Sequence, residues 1–197
     1  MFTELLVEPE KSTIVRLSGV PYPGELESTV VLRDGARLRI RAIRPDDAPR
    51  LAALFERLSP QTIYQRFFTW YRRLPNAWYH EFANVDYRAR LALVAEDVTS
   101  AGVLLRGVAR WEPGDAHDAA ELAVVVEDAW QSRGLGTRLM TAIFDAAEAR
   151  SIRRFCADVL AENERMLRLL KRLGEIRASR TEHGVTHLCL IPRAGAA

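Results

Sequence analysis

The sequence predicts a mixed α/β or α+β domain built on one central sheet, and three observations carry this prediction. Segments with strand and helix periodicity follow one another in the order strand, helices, three strands, helix, strand, helix, two strands. The 197 residues, 48% of them hydrophobic and 27% charged, suffice for one domain with a core and an extension. A valine-rich run at 122–126 precedes two closely spaced glycines and an amphipathic segment, as at a strand-to-helix turn.

The N-terminal segment, residues 1–34, predicts an extension or arm rather than a second domain. Prolines and a glycine interrupt it, and only residues 14–17 fit a short strand. Asp34 and Gly35 then form a turn signal, after which residues 38–42 alternate apolar and polar side chains like a half-buried strand. We therefore place the folded domain at 35–192, followed by a short tail at 193–197.

Three helices are predicted before the next strand. Residues 46–49 begin the first, because two aspartates supply acidic capping residues and a proline falls in the first turn. A Ser-Pro pair at 59–60 repeats this start signal for a second helix. The aromatic-rich stretch that follows contains a third, short helix near 76–82.

The remaining chain predicts six more strands and two helices. One helix follows the paired glycines, and the other is capped by Asn163 and ends at Gly174. A turn at His183 and Gly184 joins the last two strands. The predicted strands are 90–95, 102–111, 120–127, 152–159, 175–180 and 186–191.

The charge composition does not indicate a nucleic-acid partner, and we expect none. The net charge is +2, and all basic residues except Lys11 and Lys171 are arginines spread along the chain. The N-terminus lacks the basic start and long apolar region of a signal peptide. No apolar run has the length of a membrane span. We therefore expect a cytoplasmic protein that does not associate with membranes, as a monomer or homodimer.

Two cysteines, Cys156 and Cys189, lie in apolar strand-like runs. We expect both to be buried free thiols, because such cysteines behave as small hydrophobic residues. The count and spacing do not suggest a disulfide framework. No group of His, Cys and Asp has the spacing of metal ligands, so we expect no metal.

The segment 131–138 carries the functional prediction, because a buried strand, two glycines and a helix start together favour phosphate binding. Glycine lets the backbone approach a ligand closely, and the free N–H groups of the helix start point at an anion. The dinucleotide fingerprint needs a third glycine where this chain has Leu139, and a P-loop needs a Gly-Lys pair that is absent. A tight strand–helix turn without a ligand is the alternative.

The remaining pattern, Gln-x-x-Gly-x-Gly after an apolar strand, resembles motif A of the GNAT N-acetyltransferase superfamily. The resemblance is carried by residues 121–136 and by the helix start at 163–166, and it extends over about 35–192. Residues 43–47 and 58–68 look like those of bacterial protein-lysine acetyltransferases. The resemblance implies a mostly antiparallel sheet of six to seven strands, flanked by helices and splayed between the fourth and fifth strands.

The resemblance also implies acetyl-CoA as cofactor and assigns residues to it. Backbone N–H groups of the glycine loop would bind its pyrophosphate, with added contacts from the side chains of Arg133 and Arg138. The pantetheine arm would pair with the backbone of Val124 and Val126. Asn163 would contact the pantetheine or serve as an ordinary N-cap. The full implied set is Val124, Val126, Gln131, Arg133, Gly134, Leu135, Gly136, Thr137, Arg138 and Asn163.

Glu121 is the predicted general base. A charged residue at the start of an apolar strand is unusual and indicates a specific role. The resembled enzymes use a glutamate at this position as the base. The amine must lose its proton, and the thioester carbonyl must be polarised as charge develops on its oxygen. A solvated strand-start residue is the alternative for Glu121. Other candidates for the base lie in the preceding loop, namely Glu112, Asp115, His117 and Asp118.

Two positions depart from the common family pattern. The tyrosine that often acts as general acid in the last helix is Leu170 here, so the thiolate leaves unaided or another group serves. Glu175 replaces an aromatic residue often found after the closing glycine. Aromatic side chains of the second helix and of the aromatic segment after it either line a substrate groove or belong to the core, namely Tyr64, Trp70, Tyr71 and Tyr79.

The sequence therefore predicts acetyl transfer to a primary amine, with a protein lysine side chain as the first hypothesis. The same chemistry on a small amine or amino acid is the second. A non-catalytic module that senses acyl-CoA and regulates a partner is the third, because such a module would keep the glycine loop and could dispense with Glu121.

Overall fold

A computed structural model of the chain describes residues 21–114 and 119–193. In these residues eight strands form one sheet in the spatial order β1-β2-β3-β4-β5-β6-β8-β7. All neighbouring strands are antiparallel except β5 and β6, which run parallel. The strands are β1 Ser28–Val31, β2 Arg37–Ala42, β3 Leu91–Thr99, β4 Gly102–Pro113, β5 Ala119–Val126, β6 Arg154–Leu160, β7 Gly174–Glu182 and β8 Val185–Pro192.

Five α-helices flank the sheet in the described residues, and none of them is long and apolar enough to span a membrane. The helix that follows the paired glycines packs on β3, β4 and β5 from one side, and the first two helices pack on β4 and β5 from the other. The helices are α1 Ala48–Glu56, α2 Pro60–Phe67, α3 Asn76–Ala83, α4 Leu135–Glu148 and α5 Glu164–Leu173.

The predicted fold class is confirmed, but the number of strands is not. The sheet has eight strands instead of six or seven, because residues 28–31, predicted to belong to an arm, pair with β2 as an edge strand. The predicted strand at 14–17 and most of the tail at 193–197 lie outside the described residues. The proposed domain boundary at residue 34 stays a prediction.

Strands β5 and β6 separate after a short paired stretch. They are the fourth and fifth of the predicted strands, between which the resemblance implied a splay. Only residues 119–121 of β5 pair with 154–156 of β6. Beyond the pair Glu121 and Cys156 the two strands diverge, while β5 stays paired with β4 along its length. The sheet therefore opens into a cleft at its centre.

A buried charge network joins β2, β3 and the start of α1. Arg41 is 1% exposed, and its guanidinium donates to both carboxylate oxygens of Asp47, at 2.7 and 2.8 Å, and to Glu96 at 2.7 Å. Burial opposes the charged form of Asp47 and Glu96, but the bonds from Arg41 outweigh it and the pKa of each carboxyl is lowered. Asp47 was predicted to cap α1. Its carboxylate instead accepts from the Arg44 N–H and from Arg41.

The prediction of two buried free thiols is wrong. Cys156 and Cys189 are bonded to each other as a disulfide, and both residues are half-buried rather than buried. They lie 33 residues apart in sequence and become direct partners because β6 pairs with β8. Their spacing in sequence carries no signal of this pairing.

Candidate functional site

A cleft with a volume of about 1170 Å³ lies where β5 and β6 separate. Residues 121–126 of β5 form one wall, and residues 156–159 of β6 form the other. The glycine loop and the start of α5 close one end, and α2 contributes Arg66 near the other end.

The β5 wall turns backbone groups toward this cleft. The Glu127 N–H donates to the Arg106 carbonyl of β4 at 2.9 Å, which fixes the alternation along the antiparallel pair. By this alternation the backbone groups of residues 121, 123 and 125 point toward β4, whereas those of Val124 and Val126 point toward β6. Because β6 has diverged at this level, the backbone groups of Val124 and Val126 face the cleft. Their pairing with a pantetheine arm stays a prediction.

Gln131 holds the glycine loop against the β5 wall. Its side-chain amide donates to the Val126 carbonyl at 3.1 Å and to the Thr62 hydroxyl at 3.2 Å, and its oxygen accepts from Arg165. The predicted cofactor residue Gln131 is therefore seen in a positioning role that joins β5, α2 and α5.

The glycine loop places a helix N-terminus at the cleft. Gly134 has a φ of 97° and is the N-cap of α4, a conformation that side-chain-bearing residues rarely adopt. The first intrahelical acceptor of α4 is the Gly134 carbonyl, which accepts from the Arg138 N–H at 3.1 Å. The N–H groups of Leu135, Gly136 and Thr137 precede this bond, so they are available to an anion together with the positive end of the helix dipole.

The arginine side chains of the loop lie beside the cleft rather than in it. The Arg133 guanidinium pairs with Asp34 in the turn between β1 and β2 and lies 4.1 Å from the centre of the Trp130 ring. Arg138 lines an adjoining recess with Arg33 and Arg172. The contacts predicted for Arg133 and Arg138 with a pyrophosphate stay predictions, and Arg33, which lines both the recess and the cleft, was missed.

Asn163 is the N-cap of α5 and also lines the cleft. Its Oδ1 accepts from the Met166 N–H at 3.2 Å. The capping alternative is thus observed. Its amide nitrogen is a second polar group at the cleft, so capping and ligand contact are compatible.

Glu121 stands at the opposite end of the cleft from the glycine loop, in register with Glu112 of β4 and Cys156 of β6. It is half-buried. Ala123 and Val125, which share its face of β5, lie against Phe67 of α2. The Glu121 side chain therefore lies on the side of the sheet covered by α1–α3, at the point where the strands separate.

Glu112, the other described candidate for the base, has its carboxylate held by two arginines. Arg90 lies 2.9 Å from one oxygen, and Arg110 pairs with the other. The loop candidates Asp115, His117 and Asp118 lie outside the described residues.

Comparisons with known proteins identify the family of this chain. The family model described as "Acetyltransferase (GNAT) domain" matches residues 37–175. The chain belongs to the GNAT acetyltransferase family. The crystal structure of the GNAT domain of S. lividans PAT is 36% identical, with a TM-score of 0.76 over 86% of this chain and 98% of that one.

Two curated relatives of this GNAT chain are also acetyltransferases. Acetyltransferase Pat of Mycolicibacterium smegmatis is 29% identical over 147 residues, or 75% of this chain, and acetyltransferase PA5475 of Pseudomonas aeruginosa is 29% identical over 143 residues, or 73% of it. The matched region is 44% of the length of Pat and 77% of that of PA5475.

GNAT acetyltransferases use acetyl-CoA, and the described cleft fits that cofactor. The structure of yncA from Salmonella typhimurium, solved with its cofactor acetyl-CoA, shares the fold at 21% identity and a TM-score of 0.59 over 82% of this chain and 98% of that one. In this GNAT chain the free N–H groups at the start of α4 suit a pyrophosphate, and the exposed amides of Val124 and Val126 suit the amide-bearing pantetheine arm.

The aromatic side chains predicted for a groove of the GNAT domain pack elsewhere. Tyr79 is buried against Phe55, and Tyr71 packs edge-on against Phe67. Tyr64 and Trp70 stack on each other with their ring centres 4.4 Å apart. None of the four predicted aromatics contributes to the lining of the cleft in the described part of the chain.

Three residues on the β6 side of the GNAT cleft were missed by the sequence analysis. Cys156, Asp158 and His187 line it, and His187 Nδ1 lies 2.8 Å from Asp158 Oδ1. Ligand atoms of Cys156, His187 and Cys189 lie within 4.8 Å of one another, but both sulfurs are bonded to each other and metals bind sulfur as thiolate. Only the pairing of β6 with β8 brings these residues together.

Proposed function

We propose that this chain transfers an acetyl group from acetyl-CoA to a primary amine, and that the amine is a lysine side chain of a protein. The observation that carries the proposal is the central cleft, which has a helix N-terminus at one end and the Glu121 carboxylate at the other. The names of the relatives Pat and PA5475 support acetyl transfer. The lysine acceptor rests on the likeness of residues 43–47 and 58–68 to protein-lysine acetyltransferases.

The chain's own groups would hold acetyl-CoA along the cleft. The N–H groups at the start of α4 would bind the pyrophosphate, and the amides of Val124 and Val126 would pair with the pantetheine arm. Asn163 adds a polar contact from α5. When bound, acetyl-CoA supplies an activated acetyl thioester at the Glu121 end of the cleft.

Glu121 would take the proton that the acceptor amine must lose. A lysine amine has an ordinary pKa near ~10.4 and is protonated at neutral pH, so a base is required before it can attack the thioester. Glu121 lies on the face covered by α1–α3, where an acceptor can reach it directly or through one water.

The leaving group receives no proton from a tyrosine in α5. The position where many relatives have this tyrosine is Leu170, which is 1% exposed and packs in the core. A thiolate is a stable leaving group near neutral pH, since a thiol has an ordinary pKa near ~8.5. We therefore propose that the thiolate of CoA departs without a protein acid from this helix.

A thiol-release assay with acetyl-CoA and a panel of acceptors tests the proposal. The panel contains lysine-bearing proteins and peptides, polyamines and free amino acids, each with an acetylated-lysine readout by mass spectrometry where a protein is used. Turnover on protein lysines alone supports the proposal. Equal turnover on free amines favours the small-molecule alternative, and acetyl-CoA binding without turnover on any amine favours the sensing module.

The Gly134→Ala variant should bind acetyl-CoA about tenfold more weakly. The φ of 97° at Gly134 strains any residue with a Cβ, at a cost of about 1–3 kcal/mol, and relief of that strain turns the first N–H groups of α4 away from the ligand. The measurement is the dissociation constant for acetyl-CoA by calorimetry, together with the free energy of unfolding.

Gly102→Ala is the matched control for this variant. Gly102 has a similar φ of 123° and, like Gly134, space for a Cβ, but it is the first residue of β4, directly after the turn from β3. The Gly102→Ala variant should lose about as much stability as Gly134→Ala and keep the wild-type affinity for acetyl-CoA. Equal weakening of affinity in both variants would show that the change at Gly134 acts on stability alone.

A further inference from the structure

We propose that the Cys156–Cys189 disulfide is a thiol-exchange site for free coenzyme A, which becomes bonded to Cys156 in the cleft. The inference rests on the proposed function, because acetyl transfer to an amine releases the free CoA thiol in this cleft. It assigns a covalent ligand to two cysteines that the acetyl-transfer chemistry does not use.

The first support is the position of Cys156. It is the direct partner of Glu121 in the last pair before β5 and β6 separate, and it lines the cleft. Residues in register on neighbouring strands point to the same face of the sheet. The Cys156 sulfur therefore lies on the Glu121 side, at the end of the cleft where the thiol end of CoA is expected.

The second support is the accessibility of this face. On β6, Phe155, Ala157 and Val159 are buried, whereas Cys156 and Asp158 on the other face are half-buried. On β8 the same alternation leaves His187 exposed and Cys189 half-buried. A thiol bound in the cleft can approach Cys156 without any rearrangement of the core.

The third support is a group that can receive the leaving thiolate. His187 Nε2 lies 3.5 Å from Cys189 Sγ, and His187 Nδ1 lies 2.8 Å from Asp158 Oδ1. The Asp158 carboxylate lies against Nδ1 and orients the ring, with Nε2 toward the disulfide. When the disulfide opens, the imidazolium can donate to the Cys189 thiolate, which makes Cys189 the better leaving group of the two.

The exchange is balanced without an added oxidant. The CoA thiolate attacks Cys156 Sγ, a CoA–Cys156 sulfur–sulfur bond forms, and the Cys156–Cys189 bond breaks with its electron pair going to Cys189. Cys189 takes a proton from His187. Attack by a thiolate on a disulfide sulfur is the general course of such exchange.

The consequence is a reversible block of the site. CoA bonded to Cys156 stays in the cleft that acetyl-CoA needs, so turnover stops until the Cys189 thiolate displaces the CoA or a thiol reductant removes it. Free CoA that accumulates would thus inactivate the protein when no reductant is present, in addition to competing with acetyl-CoA for the cleft.

The test is intact-protein mass spectrometry without reductant after incubation of the disulfide form with free CoA. The expected result is an increase by the mass of one CoA, mapped to Cys156 and reversed by dithiothreitol. Acetyl-CoA, which has no free thiol, should add nothing. Glutathione at the same concentration should react at least about tenfold more slowly, because it lacks the effective concentration that cleft binding provides.

Three variants sharpen the test. Cys189→Ser has no disulfide and should form no adduct with free CoA, but CoA disulfide should modify it at Cys156. Cys156→Ser should form no adduct with either reagent. His187→Asn should slow adduct formation with the disulfide form and leave the reaction of Cys189→Ser with CoA disulfide unchanged.

Several results would overturn the proposal. These are an adduct on Cys189, an equal rate with glutathione, or no adduct with free CoA while thiol titration shows the disulfide intact. If thiol titration finds two free thiols in the protein as purified, the reduced protein is incubated with CoA disulfide instead. Absence of an adduct in that reaction also overturns the proposal. Calorimetry with acetyl-CoA separates the failure of the thiol exchange from the failure of the proposed function. Absence of acetyl-CoA binding contradicts the proposed function. Binding of acetyl-CoA without any CoA adduct contradicts only the thiol exchange.

Discussion

Replacing Glu121 by Gln should lower kcat/KM for the amine acceptor by about 100-fold or more, because general-base assistance contributes about 100- to 10,000-fold to such reactions. The change removes the proton acceptor and keeps the size of the side chain. Affinity for acetyl-CoA should stay at the wild-type value, since the predicted cofactor contacts come from β5 backbone, α4 and α5. Thiol release at saturating acetyl-CoA and calorimetry measure the two quantities.

Glu112→Gln is the control for this prediction. Glu112 is the direct neighbour of Glu121 on β4, but arginines 90 and 110 hold its carboxylate. The Glu112→Gln variant should keep most of the wild-type activity. If Glu112→Gln loses as much activity as Glu121→Gln, the role depends on the charge at this end of the cleft rather than on Glu121 as base.

The Arg41→Met variant should lose about 3–5 kcal/mol of unfolding free energy, the usual cost of removing one partner from a buried ion pair. Arg41 and Asp47 are 1% and 0% exposed, and Glu96 is 4% exposed, so both carboxylates would remain buried without their main partner. Denaturant unfolding near pH 7 measures this loss.

Arg39→Met is the matched control. Arg39 also pairs with Glu96, but its side chain is 45% exposed, and exposed pairs contribute about 0–1 kcal/mol. A loss in Arg39→Met as large as that in Arg41→Met would show that burial of the pair is not the cause.

The same network gives a pH dependence with a defined sign. Burial raises the pKa of Asp47 and Glu96, the bonds from Arg41 outweigh this, and both pKa values are lowered overall. Their contribution is therefore present above the ordinary carboxyl pKa values of about 3.9–4.3 and is lost as the pH falls through the lower folded values. The stability difference between wild type and Arg41→Met should shrink below about pH 4, as followed by unfolding at a series of pH values.

Long periodic segments made most of the fold predictable. The helix after Gly134 and the helix capped by Asn163 appear as α4 and α5, and the short helix near 76–82 appears as α3. These features depend on local chemistry and on one strand–turn–helix unit, which a sequence displays directly.

The parts that sequence analysis missed depend on pairing between distant segments. Strand β1 is four residues long with mostly exposed side chains, so its periodicity gives little signal and its register with β2 reveals it. The network around Arg41 needs three elements at once. The disulfide and its neighbour His187 become visible only when β6 and β8 are known to pair, because nothing local marks either residue.

Calorimetric titration of the wild-type chain with acetyl-CoA tests the central claim most directly, since the roles proposed for the glycine loop, Glu121 and Cys156 all assume that this cofactor occupies the cleft. We predict one molecule bound per chain with a dissociation constant below about 1 mM, the upper end of the usual range of substrate KM values. The absence of binding heat at that concentration, with no rise in melting temperature, would contradict the account.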